Sequence, residues 1–173
     1  MEIKRKVLDM YGNPAFEENI LKFLNSRMDY DKLSIEQKLV VIKKLQLACK
    51  SCKLHYSNDH ANVPSVLNPG SPFLFIGRNP NGTESKEGSL YPEGTQQGNM
   101  FKKYLSFLGI GEGEISILNM CQCYGTSNRP ATQEEINKCV AYKKFEMDII
   151  GDNIRIIFPM GQDSLKWVLG RIS

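Results

Sequence analysis

The chain has 173 residues, 41% of them hydrophobic, which suits a single domain with a substantial core. Its 22 Lys and Arg against 19 Asp and Glu leave a net charge of +3, which permits phosphate contact but is far from the strongly basic balance of an electrostatic DNA binder. No apolar run approaches the roughly 18 residues of a membrane span, and the opening MEIKRKVLDMYGN lacks a signal peptide's apolar core, so a cytoplasmic protein with no membrane partner is expected.

In chain order, Pro14 to Arg27 carries Ile20, Leu21, Phe23 and Leu24 at helical spacing. Ser34-x-x-Gln37 is a capping box that opens a second helix, with Leu39, Val40, Ile42, Leu45 and Leu47 on one broad face. Its lysines, Lys38, Lys43, Lys44, Lys50 and Lys53, suit either a DNA backbone or an ordinary solvated face. Lys53 to Pro72 is turn-rich. Phe73 to Ile76 is an apolar run of the kind buried on both faces of a parallel sheet, and it stops at Gly77.

Gly77 to Gly98 holds five glycines and two prolines in 22 residues and reads as a functional loop. Phe101 to Leu108 is a short helix closed by Gly109. Ile115 to Met120 is a second strand, Gln133 to about Ile150 a helix opened by the capping box Thr132-x-x-Glu135, Ile154 to Phe158 a third strand, and Gln162 to Leu169 a last helix. Strand, loop and helix repeated in this way predict an α/β fold of three layers, α/β/α, with a short parallel sheet and a helical N-terminal extension. One domain over 1–173 is expected, with a helical part at 1–48 and the α/β core at 49–173. Ligands of such sheets bind at the carboxyl ends of the strands, which here are Gly77-Arg-Asn-Pro80, Asn119-Met-Cys121 and Pro159-Met-Gly161.

Five cysteines stand in the pattern Cys49-x-x-Cys52, a long interval, then Cys123 and, sixteen positions on, Cys139, with Cys121 left over as a small buried side chain. Without a secretion signal, these four read better as a metal or iron–sulfur site than as two disulfides. Spacing does not separate zinc from a cluster, and unligated core cysteines are the third reading. The histidines, His55 and His60, have no partner at metal or catalytic spacing and are expected at the surface.

Asn119-Met-Cys-Gln-Cys123, Asn128-Arg129-Pro130-Ala-Thr132 and Glu135-Ile136-x-x-Cys139 together resemble the N-x-x-K-C, N-R-x-P-T and E-I-x-x-C segments of family 4 uracil-DNA glycosylases. The resemblance runs from about Leu47 to about Gly170. It implies a 4Fe-4S cluster on Cys49, Cys52, Cys123 and Cys139, with Zn as the alternative. It also implies DNA as partner, uracil-containing, with Asn119 reading the flipped base. Gly88-Ser-Leu-Tyr91 parallels the family's G-x-P-F, which makes Tyr91 the stacking aromatic. Gly77-Arg-Asn-Pro-Asn-Gly82 resembles the G-x-N-P-G of the mismatch-specific and single-strand-selective relatives, so Gly77 lies at the substrate and Asn79 positions the attacking water.

The resemblance has departures. The family's loop Glu is absent, and its last strand and H-P-S type motif have no counterpart before Ser173, while both histidines precede residue 61. Losing one such donor costs about 3 kcal/mol, so an enzyme that is slow or dead is expected. The alternatives are a glycosylase-derived module that binds nucleic acid or a protein partner, and the front part of a longer protein. A monomer is expected.

Overall fold

The computed structural model describes residues 30–56 and 62–170, so the helix expected at Pro14 to Arg27 and the surface position expected for His60 lie outside the described residues. The core is a three-stranded parallel sheet of β1 (Phe73–Gly77), β2 (Ile115–Asn119) and β3 (Ile156–Pro159) in the order β2-β1-β3. Phe73 pairs with Ile115 on one side and Ile156 on the other.

Alternation along β1 divides the core in two. Leu74 and Ile76 join Leu118 against α5 (Gln133–Ile150) and α6 (Gln162–Gly170), whereas Phe75 joins Ile115 and Ile117 against Phe101 and Leu105 of α4 (Gln96–Leu108). Side chains on a strand point alternately to its two faces, so a run apolar at every position must be covered twice. This is the three-layer α/β/α arrangement that the sequence predicts.

Boundaries differ from expectation where backbone bonds compete with pattern. The third strand starts at Ile156, because the Arg155 and Ile156 amides both turn to Pro72 O, and Ile154 is buried ahead of the strand. The 77–98 stretch is not all loop. Asn81 caps a six-residue helix, α3 (Gly82–Glu87), through a reciprocal box with Glu84, and Thr95 caps α4, which therefore begins five residues before the expected Phe101. Caps satisfy first-turn amides that apolar periodicity does not register.

Helix α1 (Ile35–Leu47) begins at the predicted Ser34 box and packs on α5. Its apolar face is narrower than the sequence indicates, since Ile42 is buried but Val40 and Leu47 are exposed. Buried Gln46 instead donates to Glu146 Oε1 at 2.6 Å, where Gln122 and Ser65 also donate, and Lys143 forms an ion pair with Glu146 at 2.8 Å in full burial. The same Gln46 accepts from Asn62 through its backbone carbonyl. A buried charge pair depends on compensating hydrogen bonds, and here three donors converge on Glu146 Oε1 while Oε2 has the Lys143 ammonium alone. This network fastens α1 to α5 beside the cysteines.

Candidate active site and cysteine centre

A cavity of about 460 Å³ opens at the carboxyl ends of the three strands. Gly77, Asn79, Tyr91 and Asn119 all line it, so the four residues expected at the substrate come together although 42 positions separate the first from the last.

Asn119 ends β2 and is 6% exposed, with that exposure toward the cavity. Its sheet partner is Gly77. A Cβ at Gly77 would overlap Asn119 Oδ1, so the glycine is what leaves room for the carboxamide. The pairing continues past both strands, with Met120 N donating to Gly77 O and Cys121 N to Arg78 O, each at 2.9 Å.

Asn79 is held at both ends of its amide. Its Oδ1 accepts from Arg78 Nε at 3.0 Å and Ala131 N at 3.2 Å, while Nδ2 donates to Pro80 O at 3.2 Å. A carboxamide oxygen has two lone pairs, and both are engaged. The 125–131 segment also grips the start of α3, where Gly82 N donates to Asn128 Oδ1 at 3.0 Å. Asn128 has φ of 58°, a left-handed conformation that Asn tolerates better than most residues.

Tyr91 stacks on Phe101 with centroids 4.2 Å apart and planes at 18°. Its backbone amide donates to Glu84 Oε1 at 3.0 Å, which fixes a residue whose φ is 47°. Burial, and then the Glu84 charge, push its hydroxyl up to about 12. The loop lies so close on α4 that a Cβ at Gly98 would come within 2.7 Å of Tyr91 O.

Pattern reading missed several residues at the same cavity. Arg78 donates to Asp163 at 2.7 Å and bridges the first and last strand ends, and Glu84 and Gln162 add further polar atoms. Glu84 was visible as the third residue of the Asn81 box; Arg78 and Asp163 carried no sequence signal, because their pairing spans 85 positions.

The cysteines lie on the α5 side of the sheet. Cys49 follows α1 and is half-buried, Cys52 precedes α2 (Lys53–Tyr56), and Cys123 and Cys139 are buried; all are free thiols. The Cys123 thiol donates to Cys52, which pulls the Cys52 thiol down and pushes Cys123 up, with burial and then the neighbouring Cys139, Cys52 and Cys49 adding to the rise. Three cysteines within electrostatic reach of Cys123 fit a thiolate-ligated group. Among the described residues they do not close around a single point as they would around one ion. Cys121, fully buried as expected, is not isolated: its Sγ lies 3.6 Å from that of Cys139. His55 is half-buried rather than at the surface, on a turn whose Cys52 and Leu54 are buried.

Of the lysines considered for DNA contact, Lys38 donates to Asp148 at 3.1 Å and lies over the Tyr30 ring, while Lys43, Lys44, Lys50 and Lys53 are exposed. No helix among the described residues is long and apolar enough to cross a membrane.

Residues 64–173 match the family model described as the uracil DNA glycosylase superfamily. The chain is 30% identical over 133 residues to the type-4 uracil-DNA glycosylase of Sulfurisphaera tokodaii, covering 76% of this chain and 58% of that protein. It is 28% identical over 108 residues to the type-4 uracil-DNA glycosylase of Archaeoglobus fulgidus, covering 62% and 53%. The type-4 uracil-DNA glycosylase of Pyrobaculum aerophilum is 29% identical over 118 residues, covering 68% and 58%. The chain thus spans a little over half the length of these curated relatives. The family match takes in all three strands and every residue lining the cavity, and the chain belongs to the uracil DNA glycosylase superfamily.

Proposed function

We propose that the chain acts on uracil in DNA, hydrolysing the N-glycosidic bond, and that Asn79, Tyr91 and Asn119 carry this activity. The observation that supports it is the convergence of these three side chains on one cavity of base-accepting size in a chain of this superfamily. Asn119 offers one donor and one acceptor, the pair needed to tell uracil from cytosine at its Watson–Crick edge. Tyr91, braced behind by Phe101, offers its ring to the base.

Bond cleavage leaves both electrons on the uracil ring and an oxocarbenium-like sugar, to which water adds with loss of a proton. Asn79 orients that water, which takes the place of the Arg78 Nε contact on Oδ1. Arg78 is the one cation among the described lining residues, and it favours the uracil anion as leaving group when the base draws its guanidinium from Asp163. Cys49, Cys52, Cys123 and Cys139 would hold a 4Fe-4S cluster that ties α1 and α2 to the sheet.

A second reading, a module that binds a base without turnover, is favoured by the double engagement of Asn79 Oδ1. Incubation of metal-loaded protein with single- and double-stranded uracil DNA, scored for abasic sites, separates the two. Abasic sites that depend on uracil support the enzyme; tight uracil-specific binding without them supports the module.

A further inference from the structure

On α4 the residues Met100, Tyr104, Phe107 and Leu108 are 48%, 56%, 86% and 50% exposed, an apolar row that a soluble helix ordinarily turns inward. Spacings of three and four put all of them on one stripe. The row starts inside the candidate site, since Met100 and Tyr104 line the cavity that holds Asn79 and Asn119, and it runs outward to Phe107. The helix has no acidic residue. Lys103, exposed beside the row, has no ion-pair partner among the described residues, whereas Lys102 is held by Glu93 at 2.9 Å and Glu112 at 3.3 Å.

We infer that this row is a stacking platform for the unpaired nucleotides next to the base in the cavity, which makes single-stranded DNA the preferred form of substrate; the inference rests on the reading that the cavity takes a base. Met100 and Tyr104 put α4 on the rim of the cavity, so a strand that delivers a base beside Asn119 has this helix next to it. From Met100 to Phe107 the helix rises about 10 Å, room for two or three bases at about 3.4 Å each. Exposed aromatic rings are covered well by unstacked bases, whose π-faces are free, and poorly by a duplex, whose faces are occupied. Lys103 stands where the strand's phosphates would pass.

Fluorescence anisotropy of metal-loaded protein decides it. The probes are a labelled strand carrying an uncleavable deoxyuridine analogue, the same strand with thymidine, and both annealed to complements. Wild type is expected to bind the single strand more tightly than the duplex. Phe107→Ala should weaken single-strand binding by about 5- to 150-fold and leave duplex binding unchanged. Phe107→Leu should weaken it too, because it keeps apolar area but has no ring. Lys103→Ala should reduce the slope of log affinity against log salt by about 0.7.

Duplex binding equal to single-strand binding overturns the inference, as does unaltered affinity of the Phe107 variants. So does a Phe107→Ala that changes oligomeric state in sedimentation while strand affinity stays the same, for then a second copy covers the row. If the variants weaken thymidine and uracil strands alike and wild type does not distinguish them, the platform stands and uracil reading fails. If wild type prefers uracil and the variants match it, the platform fails and uracil reading stands.

Discussion

Gly77 and Asn119 are register partners at the carboxyl ends of β1 and β2, and the volume that a Gly77 Cβ would take is held by Asn119 Oδ1. Gly77→Ala must therefore displace the Asn119 carboxamide or bend the strand. We expect a stability loss of about 1–3 kcal/mol in denaturant unfolding, together with weaker binding of an uncleavable uracil strand. Gly113→Ala, where the added Cβ meets nothing within 4 Å, is the control and should be neutral. Unchanged uracil affinity in Gly77→Ala would remove Asn119 from the base site.

Asn79 and the pair Tyr91 and Asn119 should fail differently. Water placement matters in the transition state and little in the bound ground state. Asn79→Ala is expected to abolish turnover while keeping affinity for the uncleavable strand within a small factor. Tyr91→Ala should cost about 1–3 kcal/mol of binding for the lost stack. Single-turnover kinetics beside equilibrium titration makes the comparison, and equal losses of affinity at both positions would contradict the assigned roles.

Protein prepared anaerobically should be brown, because thiolate-bound iron absorbs by charge transfer. Cys123→Ser and Cys139→Ser should each bleach it and lower the unfolding temperature, since filling such a site is coupled to folding. Cys121→Ser should keep the colour. Its Sγ is 3.6 Å from that of Cys139, so bleaching in this variant would show that Cys121 is a ligand and shift the register by two. A colourless protein with one bound zinc would replace the cluster altogether.

Arg129 grips Glu135 with bonds of 2.9 and 2.6 Å, and chiefly for that reason the Glu135 carboxyl is held down to about 2, against an ordinary 4.5. A carboxyl with a lowered folded pKa contributes stability that is complete above its unfolded value and lost as pH falls through the folded one. Arg129→Met should therefore unfold at a lower temperature than wild type at neutral pH, and the gap should close between about pH 4.5 and pH 2. Scanning calorimetry across that range tests it; a gap independent of pH would mean that the arginine acts through packing.

Much of the architecture is local and was legible as such. The apolar run at Phe73, the boxes at Ser34 and Thr132, and Gly109 after Leu108 each state an element within a few residues, because burial pattern and capping are short-range chemistry. The Asn81 box was equally local, and it was obscured by the glycines and prolines around it. Strand order in so short a parallel sheet then brings the carboxyl ends of β1 and β2 together, so that the pattern alone assigns Asn79 and Asn119 to one edge.

Other relationships belong only to the folded chain. The Arg78 to Asp163 bridge, the bond from Gln46 to Glu146, and the 3.6 Å approach of Cys121 to Cys139 join residues whose side chains carry no periodic mark of their partners. Polar contacts of this kind depend on which helix face meets which loop. Exposure of Phe107 is likewise decided by what α4 packs against, since in the sequence it is one more apolar residue in an amphipathic pattern. Sequence determines which side chains are available to a site, and packing determines which of them face one another with water excluded, where a hydrogen bond or a charge pair has its full effect.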